Sequence, residues 1–336
     1  MSNWYLQTGN DSDIVISSRA RLARNLADFN FRNSYVKDES KSVLAKIEEI
    51  TPSIGYNLKF CKMENIDDIT KISLMEKHLI SPDFAMKNNP NQAILINDEE
   101  NICIMVNEED HLRIQVFSAG LDIEHTLGLI TEIDDKISSL VDYSYSSEFG
   151  YLTACPTNVG TGLRISIMVH LPGLALTGNI SKVLRAVNSF GMNIRGIYGE
   201  GSESKGDIYQ IFNNQSLGLT EKEIMKNVKA VTDKIIEQER LARKNLEKKP
   251  IELEDRVYRA YGILTNSRKL TSDECRALIS DIKLGTDLGI IKELDDNKIR
   301  KLELYTQIGN LQKLAGQELN AYERDIKRCE IIKTLI

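Results

Sequence analysis

Three arginines fall within six positions of the stretch SSRARLAR, at Arg19, Arg21 and Arg24. On a strand, residues two apart share a face, so Arg19 and Arg21 project together and Arg24 does not. Guanidinium forks bind phosphate bidentately and keep their charge, so this pair suits a phosphate grip. A second stretch, NEEDHLRIQV, sets Glu108 and Glu109 ahead of His111 and Arg113. If the strand begins near Glu109, then Glu109, His111 and Arg113 share one face, an acid for a cation beside an arginine for an anion. In a third stretch, CPTNVGTGLR, Cys155 precedes a Pro-Thr-Asn turn, two glycines and Arg164. The glycines permit close backbone approach, and a cysteine near cations can become a thiolate. The fourth, RGIYGEGSES, has the composition of a loop that closes over a ligand and carries Arg195 and Glu200. Each stretch alone also suits a plainer role: a solvated strand face, a charged hairpin rim, a buried structural cysteine, a surface turn.

The usual phosphate-binding signatures do not account for these residues. The sequence has no GxxxxGK[ST], GTGLR lacks the third glycine of GxGxxG, and neither HRD nor DFG occurs. If the chain binds a nucleotide, arginines must replace the glycine cradle.

The elements that position these residues fall in two zones. Up to about residue 218, alternating strands mix with helices. In DIVISSRARL, Ile14, Ile16, Ser18, Ala20 and Leu22 are expected on one face and Ser17, Arg19 and Arg21 on the other. QAILINDEENICIMV reads as a hairpin, and GLRISIMVHL and DIYQIFN as further strands. Helical spacing marks 121–142 and 179–190. Hairpins with interspersed helices predict an α+β domain with a mostly antiparallel sheet. From Thr220 the pattern is helical. TEKE and TSDE read as capping boxes, Pro250 should end or kink a helix, another helix lies near 252–264, and NAYE opens the last. The expected division is a catalytic domain over 13–243 and a helical domain over 244–336.

The chain has 336 residues, 41% hydrophobic and 27% charged, enough for one large or two ordinary folded domains. A net charge of −6 argues against direct nucleic-acid binding, which needs a basic face. No apolar run is long enough to cross a bilayer, and the polar start is no signal peptide. Five cysteines, at 61, 103, 155, 275 and 329, form no CxxC or Cys/His pair at zinc spacing. Reduced thiols in a cytoplasm are the simplest expectation.

Four pieces in one order, SSRxRLAR, NEEDHLRI, CPTNxGTG and RGxxGE, resemble the catalytic domain of the phosphagen (guanidino) kinases, the creatine and arginine kinases. Within that family the chain is most similar to the bacterial protein-arginine kinases. That similarity runs from about Asp13 to the C-terminus and includes EKHLISP, IELEDRVYRAYG, LGTDLGIIK and ERDIKR. The resemblance implies an ATP-dependent kinase with Mg²⁺ on the phosphates, acting on the guanidinium of arginine in proteins. It implies nucleotide contacts from Ser17, Ser18, Arg19, Ala20 and Arg21, from His78 and Arg113, from Arg164, Ile165, Ser166, Ile167 and Met168, and from Arg195, Gly196, Ile197, Tyr198 and Gly199. Glu109 matches the carboxylate that orients the guanidinium and takes its proton, Glu200 the second carboxylate, and Cys155 the cysteine beside the acceptor. Two departures are visible: the N-terminal helical domain of those kinases is missing, and Tyr198 stands where they carry an arginine in RGxRGE.

The helical zone resembles the part of protein-arginine kinases that dimerises and binds phosphoarginine through an RDxxRA motif. Here it reads RDIKRC, with Arg324, Asp325 and Arg328 as the implied allosteric site and Cys329 in place of the alanine. The implied partners are protein substrates with exposed arginines, a heat-shock repressor, a zinc-binding activator protein, a Clp ATPase/protease and a second copy of the chain. Two rival readings remain: a kinase of a small free guanidino compound, and a phosphoarginine-reading adaptor without catalysis.

Overall fold

The computed structural model describes residues 3–31, 39–87, 89–197 and 204–336. Tyr198, Gly199 and Glu200 lie outside these residues. In the first zone the elements are β1 (Val15–Arg24), α1 (Ser40–Ile54), β2 (Lys59–Lys62), α2 (Asp68–Glu76), α3 (Pro82–Met86), β3 (Ala93–Ile96), β4 (Ile102–Val106), β5 (Leu112–Ala119), α4 (Ile123–Ser138), β6 (Tyr145–Ser146), β7 (Gly150–Tyr151), β8 (Leu163–His170), α5 (Pro172–Leu176), α6 (Ile180–Ser189), β9 (Met192–Gly196), β10 (Ile208–Asn213) and α7 (Glu221–Leu246). Eight strands form one antiparallel sheet in the order β2-β3-β4-β5-β1-β8-β10-β9, with β6 and β7 as a separate ribbon.

One sheet face is apolar. Ala20, Leu22, Ile104, Ile114, Ile165, Ile167 and Ile211 pack there against Ile47 of α1, Ile130 and Ile133 of α4, and Ile224 and Val228 of α7. The other face is polar along its centre, because the same period of two sends Arg19, Arg21, Arg113, Gln115, Arg164 and Gln210 outward. The expected alternation of β1 breaks at one place. An extra residue between Val15 and Ser17 shifts the register against β8. Ile16 therefore leaves the face of Ala20 and Leu22 and lines a cavity with Met168 and His78.

The second zone holds α8 (Pro250–Asn266), α9 (Ser272–Asp287), α10 (Asp296–Tyr305), α11 (Ile308–Ala315) and α12 (Ala321–Leu335), packed around Val257, Leu264, Ile282, Leu302 and Ile332. Thr220 and Asn320 form reciprocal capping boxes with Glu223 and Glu323. At Thr271 the side chain caps the Glu274 N–H. Pro250 takes the first turn of α8, where its missing N–H costs nothing. The helix break thus falls at 247–249, and α7 carries Leu246 across into the second core.

The two zones are tied together by buried charge. Arg243 of α7 donates to Glu239 (2.7 Å), Asp287 of α9 (3.3 Å) and the Asp13 carbonyl (3.0 Å), while Glu239 accepts from the Gly173 and Leu174 N–H groups opening α5. Glu76, at the end of α2, accepts from the Gly309 and Asn310 N–H groups at 2.8 and 2.9 Å, capping the N-terminus of α11. The helices meet closely there: a Cβ on Gly309 would stand 2.6 Å from the Ser73 nitrogen.

Candidate active site

Arg19, Arg21, Arg113 and Arg195 line one open cleft with His78, Ser81 and Gly196. Strand pairing brings them together. Arg21 lies opposite Arg164 of β8 and Gln115 of β5, and Ala23 opposite Arg113. Burial and then the neighbouring Arg113, Arg195 and Arg164 push Arg19 down to about 9. Arg21 is held well below its ordinary value by burial and by Arg113, Arg19 and Arg164. Arginine stays charged in proteins, so these shifts mark a site that disfavours the charge, by burial first and by the neighbouring arginines second, rather than lost protons. The Nε groups of Arg19 and Arg113 are buried and find no hydrogen-bond partner among the described residues. Aromatic rings carry part of the cationic load: Arg19 lies over Phe117, and Arg164 and Arg195 over Phe212 at 5.4 and 5.5 Å. Burial, with Arg19 and Arg195 nearby, pushes His78 down to about 4, so its imidazole is neutral at physiological pH.

One carboxylate enters this field. Glu108 pairs with Arg113 at 2.8 Å and accepts from the Ser81 hydroxyl at 2.7 Å. Burial alone would raise its pKa, but Arg113 and Ser81 outweigh it and hold the carboxyl below its usual range. Its neighbour Glu109 is exposed at the tip of the turn. Burial and Arg113 hold Arg164 below its ordinary value, and Glu109, with Cys155 when it is a thiolate, lies near enough to oppose them at the end of the cleft nearest β5's start. Cys155 is partly buried, with Sγ 3.1 Å from the Thr157 hydroxyl.

Asp110, which no local sequence pattern singles out, joins these two loops. Its carboxylate accepts from Asn25 Nδ2 (2.7 Å) and from the Ala154 N–H (2.6 Å), one residue before Cys155. Burial nevertheless raises its pKa, against the opposing hydrogen bonds. The available signal was the acid between Glu109 and His111, but nothing local says that it folds inward.

The expected shared face of Glu109, His111 and Arg113 is not observed. Residues 107–111 form a turn, with the Asn107 N–H donating to the His111 carbonyl (2.9 Å) and Asn107 at φ 61°; β5 begins only at Leu112. His111 is buried away from the cleft. Its Nδ1 accepts from the Leu26 N–H (3.1 Å), which leaves Nε2 to donate to the Asn30 carbonyl (3.0 Å).

Alternation also divides the expected nucleotide segments. Arg19 and Arg21 face the cleft, and period two puts Ser17 with them. Ser18 is fully buried between the Gly120 carbonyl and the Asp122 N–H, and Ala20 is in the core. From β8, Arg164, Ser166 and Met168 take the cleft side, whereas the side chains of Ile165 and Ile167 belong to the core. Gly196 and Ile197 line the cleft. The close approach allowed by CPTNVGTG is to protein rather than ligand: a Cβ on Gly162 (φ 66°) would stand 2.6 Å from Arg24 Nη1. Arg24 itself is buried, bound to Asp134 at 2.7 Å and stacked 3.5 Å over Tyr151.

On α12 the three expected phosphoarginine ligands are not presented alike. Arg328 is 1% exposed and donates to the Thr306 and Leu270 carbonyls and to Asp325 (2.9 Å). Arg324 stays nearer the surface, bound to the Leu319 carbonyl at 2.8 Å. Cys329 is buried in the bundle core. The hydrogen bonds of Arg328 use Nε and Nη1, so a phosphoryl group bound through Arg328 would meet Nη2 of a side chain already held by internal carbonyls.

The antiparallel sheet with its arginine-lined polar face suits a phosphotransferase, and known families identify which one. The family model "ATP:guanido phosphotransferase, C-terminal catalytic domain" matches residues 39–242, and "Protein-arginine kinase McsB C-terminal domain" matches residues 250–336. The chain is 48% identical to the protein-arginine kinase of Halothermothrix orenii, over 99% of this chain and 96% of that one. It is 45% identical to the protein-arginine kinase of a Geobacillus species, over 99% and 93%. Among solved structures, the duplicated taurocyamine kinase of Schistosoma mansoni with bound transition-state analogue components shares the fold at TM-score 0.60 and 23% identity, over 71% of this chain and 35% of that one. Lombricine kinase does so at TM-score 0.58 and 22% identity, over 68% and 67%. The chain belongs to the ATP:guanido phosphotransferase family, in its protein-arginine kinase branch.

Proposed function

We propose that this phosphotransferase transfers the γ-phosphoryl group of ATP to the guanidinium of arginine residues in folded proteins. The observation that carries the reading is the field of Arg19, Arg21, Arg113 and Arg164, which ends beside Glu109 and Cys155. A guanidinium is protonated at neutral pH and is a poor nucleophile until a proton is removed. Glu109 orients it and takes that proton as the N–P bond forms and the bond to the ADP oxygen breaks. Cys155 lies beside the acceptor, and Glu200 would add a second carboxylate. The arginines align the phosphates and neutralise their charge, which is most of what phosphoryl transfer needs.

No three His, Cys, Asp or Glu side chains gather to hold a metal among the described residues. Mg²⁺ would therefore arrive with the nucleotide rather than on protein ligands. When bound, the ion supplies charge neutralisation between the phosphates.

The exposure of Glu109 favours an arginine on a protein surface over a small enclosed substrate. Phosphoarginine sensing through Arg324, Asp325 and Arg328, a dimer through the helical domain, a zinc-binding activator, a heat-shock repressor as target and handover to a Clp protease are parts of the same proposal. So is a cytoplasmic location, supported by five cysteines without a disulfide. No described helix is long and apolar enough to cross a membrane. The test is turnover of a folded, arginine-rich protein against free arginine, with Glu109→Ala as control. Turnover of the free amino acid alone, or phosphoarginine binding without ATP consumption by the unmodified protein, overturns the reading.

A further inference from the structure

A second cavity opens between the two domains, with about 800 Å³ of space including its mouth. It shares Glu76 and His78 with the arginine cleft. Its walls are largely apolar, from Trp4, Ile16, Met168, Ile208, Ile279 and Leu304. Half of them belong to the helical domain or to the segment before β1, and Glu303, Arg276 and Arg300 add charge at its edge.

We propose that the C-terminal helical domain completes the nucleotide site, its Glu303 and Ile279 forming the wall that receives the ribose and base of ATP. The inference rests on the reading that the arginine cleft holds the triphosphate of ATP. The sheet then fixes which way the nucleotide runs. Along β1, Ala23 pairs with Arg113, Arg21 with Arg164 and Ser17 with Met168. Glu109 and Cys155 lie at the Arg113–Arg164 end, so the γ-phosphate belongs there. The seven residue steps from Ala23 back to Ile16 span roughly 23 Å, enough to lay out an extended nucleoside triphosphate. Its other end must then emerge at Ile16, Met168 and His78, which is where the interdomain cavity begins.

Chemistry supports a nucleoside there. Binding sites for small ligands are mostly apolar with a few placed polar groups. Among the described residues the Glu303 carboxylate accepts no hydrogen bond, although Lys283 and Arg300 favour its charge and burial raises its pKa. Glu303 is half-buried on the cavity wall, where ribose hydroxyls or an exocyclic amine can replace water as donors to its carboxylate. Its backbone is fixed: Arg300, one turn earlier on α10, donates to Asp296 (2.8 Å) and to the Ile16 carbonyl (3.4 Å), joining this wall to β1.

The test separates base from phosphates by measuring calorimetric binding of ADP and of inorganic tripolyphosphate to the full-length protein. Glu303→Ala and Ile279→Trp should each weaken ADP by roughly 10-fold or more, the loss of a charge-assisted hydrogen bond or of the cavity itself. Tripolyphosphate should bind both variants within about twofold of the unmodified protein. Folded variants that bind ADP as the unmodified protein does overturn the inference while leaving the kinase reading intact. An unmodified protein that binds neither ADP nor tripolyphosphate overturns both. Should either variant fail to fold, photolabelling of the unmodified protein with 8-azido-ATP decides the matter. Label within 276–307 is expected, and label confined to residues before 244 overturns the inference.

Discussion

Arg19 and Arg24 lie five residues apart in the same basic stretch, and their removal should have opposite effects on the free protein. Burial first, and then the charges of Arg113, Arg195 and Arg164, push the Arg19 guanidinium down to about 9, an environment that disfavours its charge by up to ~5 kcal/mol. Arg19→Met removes that charge, keeps an apolar stem against Phe117 and gives up a cation–π contact worth ~0.5–1 kcal/mol. Part of the repulsion is screened by solvent in the open cleft, so a net gain of about 1–2 kcal/mol is expected, or roughly 2–8 °C in the apo melting temperature. The same change removes a phosphate fork, and ATP affinity should fall by roughly 10- to 150-fold. Arg24→Met instead strands the buried Asp134 carboxylate and leaves the Ala23 and Thr161 carbonyls without their donor. It should destabilise by about 3–5 kcal/mol with or without nucleotide. Thermal melts of the free and ATP-saturated proteins, with calorimetric titration, read both effects. An Arg19→Met protein that melts below the unmodified one and keeps its ATP-induced shift refutes the claim that this arginine is held in repulsion for an anion.

Three further outcomes follow from the geometry. Glu109→Gln should lower kcat by roughly 10²- to 10⁴-fold with the KM for ATP nearly unchanged, because the proposed reaction sets this side chain against the acceptor and not the phosphates; steady-state kinetics check it. His78 titrates near 6.5 unfolded and at about 4 folded, so between those values the unfolded chain binds the extra proton. Stability should therefore fall on acidification through that window, by up to ~3 kcal/mol from this group, and His78→Gln should flatten the fall in urea titrations at pH 7 and pH 4.5. Glu76→Ala removes the cap from α11, and hydrogen exchange of the Gly309 and Asn310 amides should rise by roughly 5- to 100-fold while exchange in β4 and β5 is unchanged.

The local patterns were legible where the signal is local. Period two separated Arg19 and Arg21 from Ala20 and Leu22, and set Arg24 apart, because the core needs one face of β1 apolar. Helix-start patterns marked Thr220, Thr271 and Asn320, since those hydrogen bonds span only three residues, but of the two expected capping boxes the one at Thr220 closes fully and the one at Thr271 forms only the Thr271 half. Positions decided by distant partners were not legible. The bulge that turns Ile16 outward is a matter of register with β8, and the inward turn of His111 depends on Leu26 and Asn30, more than eighty residues away. Arg328 looks like a surface ligand in RDIKRC, yet its carbonyl partners come from Leu270 and Thr306 on other segments. The cavity between the zones is likewise lined by residues far apart in sequence, from Trp4 and Glu76 to Leu304, and no local pattern announces it.

The most direct measurement incubates the purified protein with ATP and a folded, arginine-rich substrate, then maps phosphate by mass spectrometry without exposure to acid. The account predicts phosphate on arginine side chains of the substrate, abolished by Glu109→Ala. Phosphate found only on other side chains, or on free arginine and never on the protein, contradicts it.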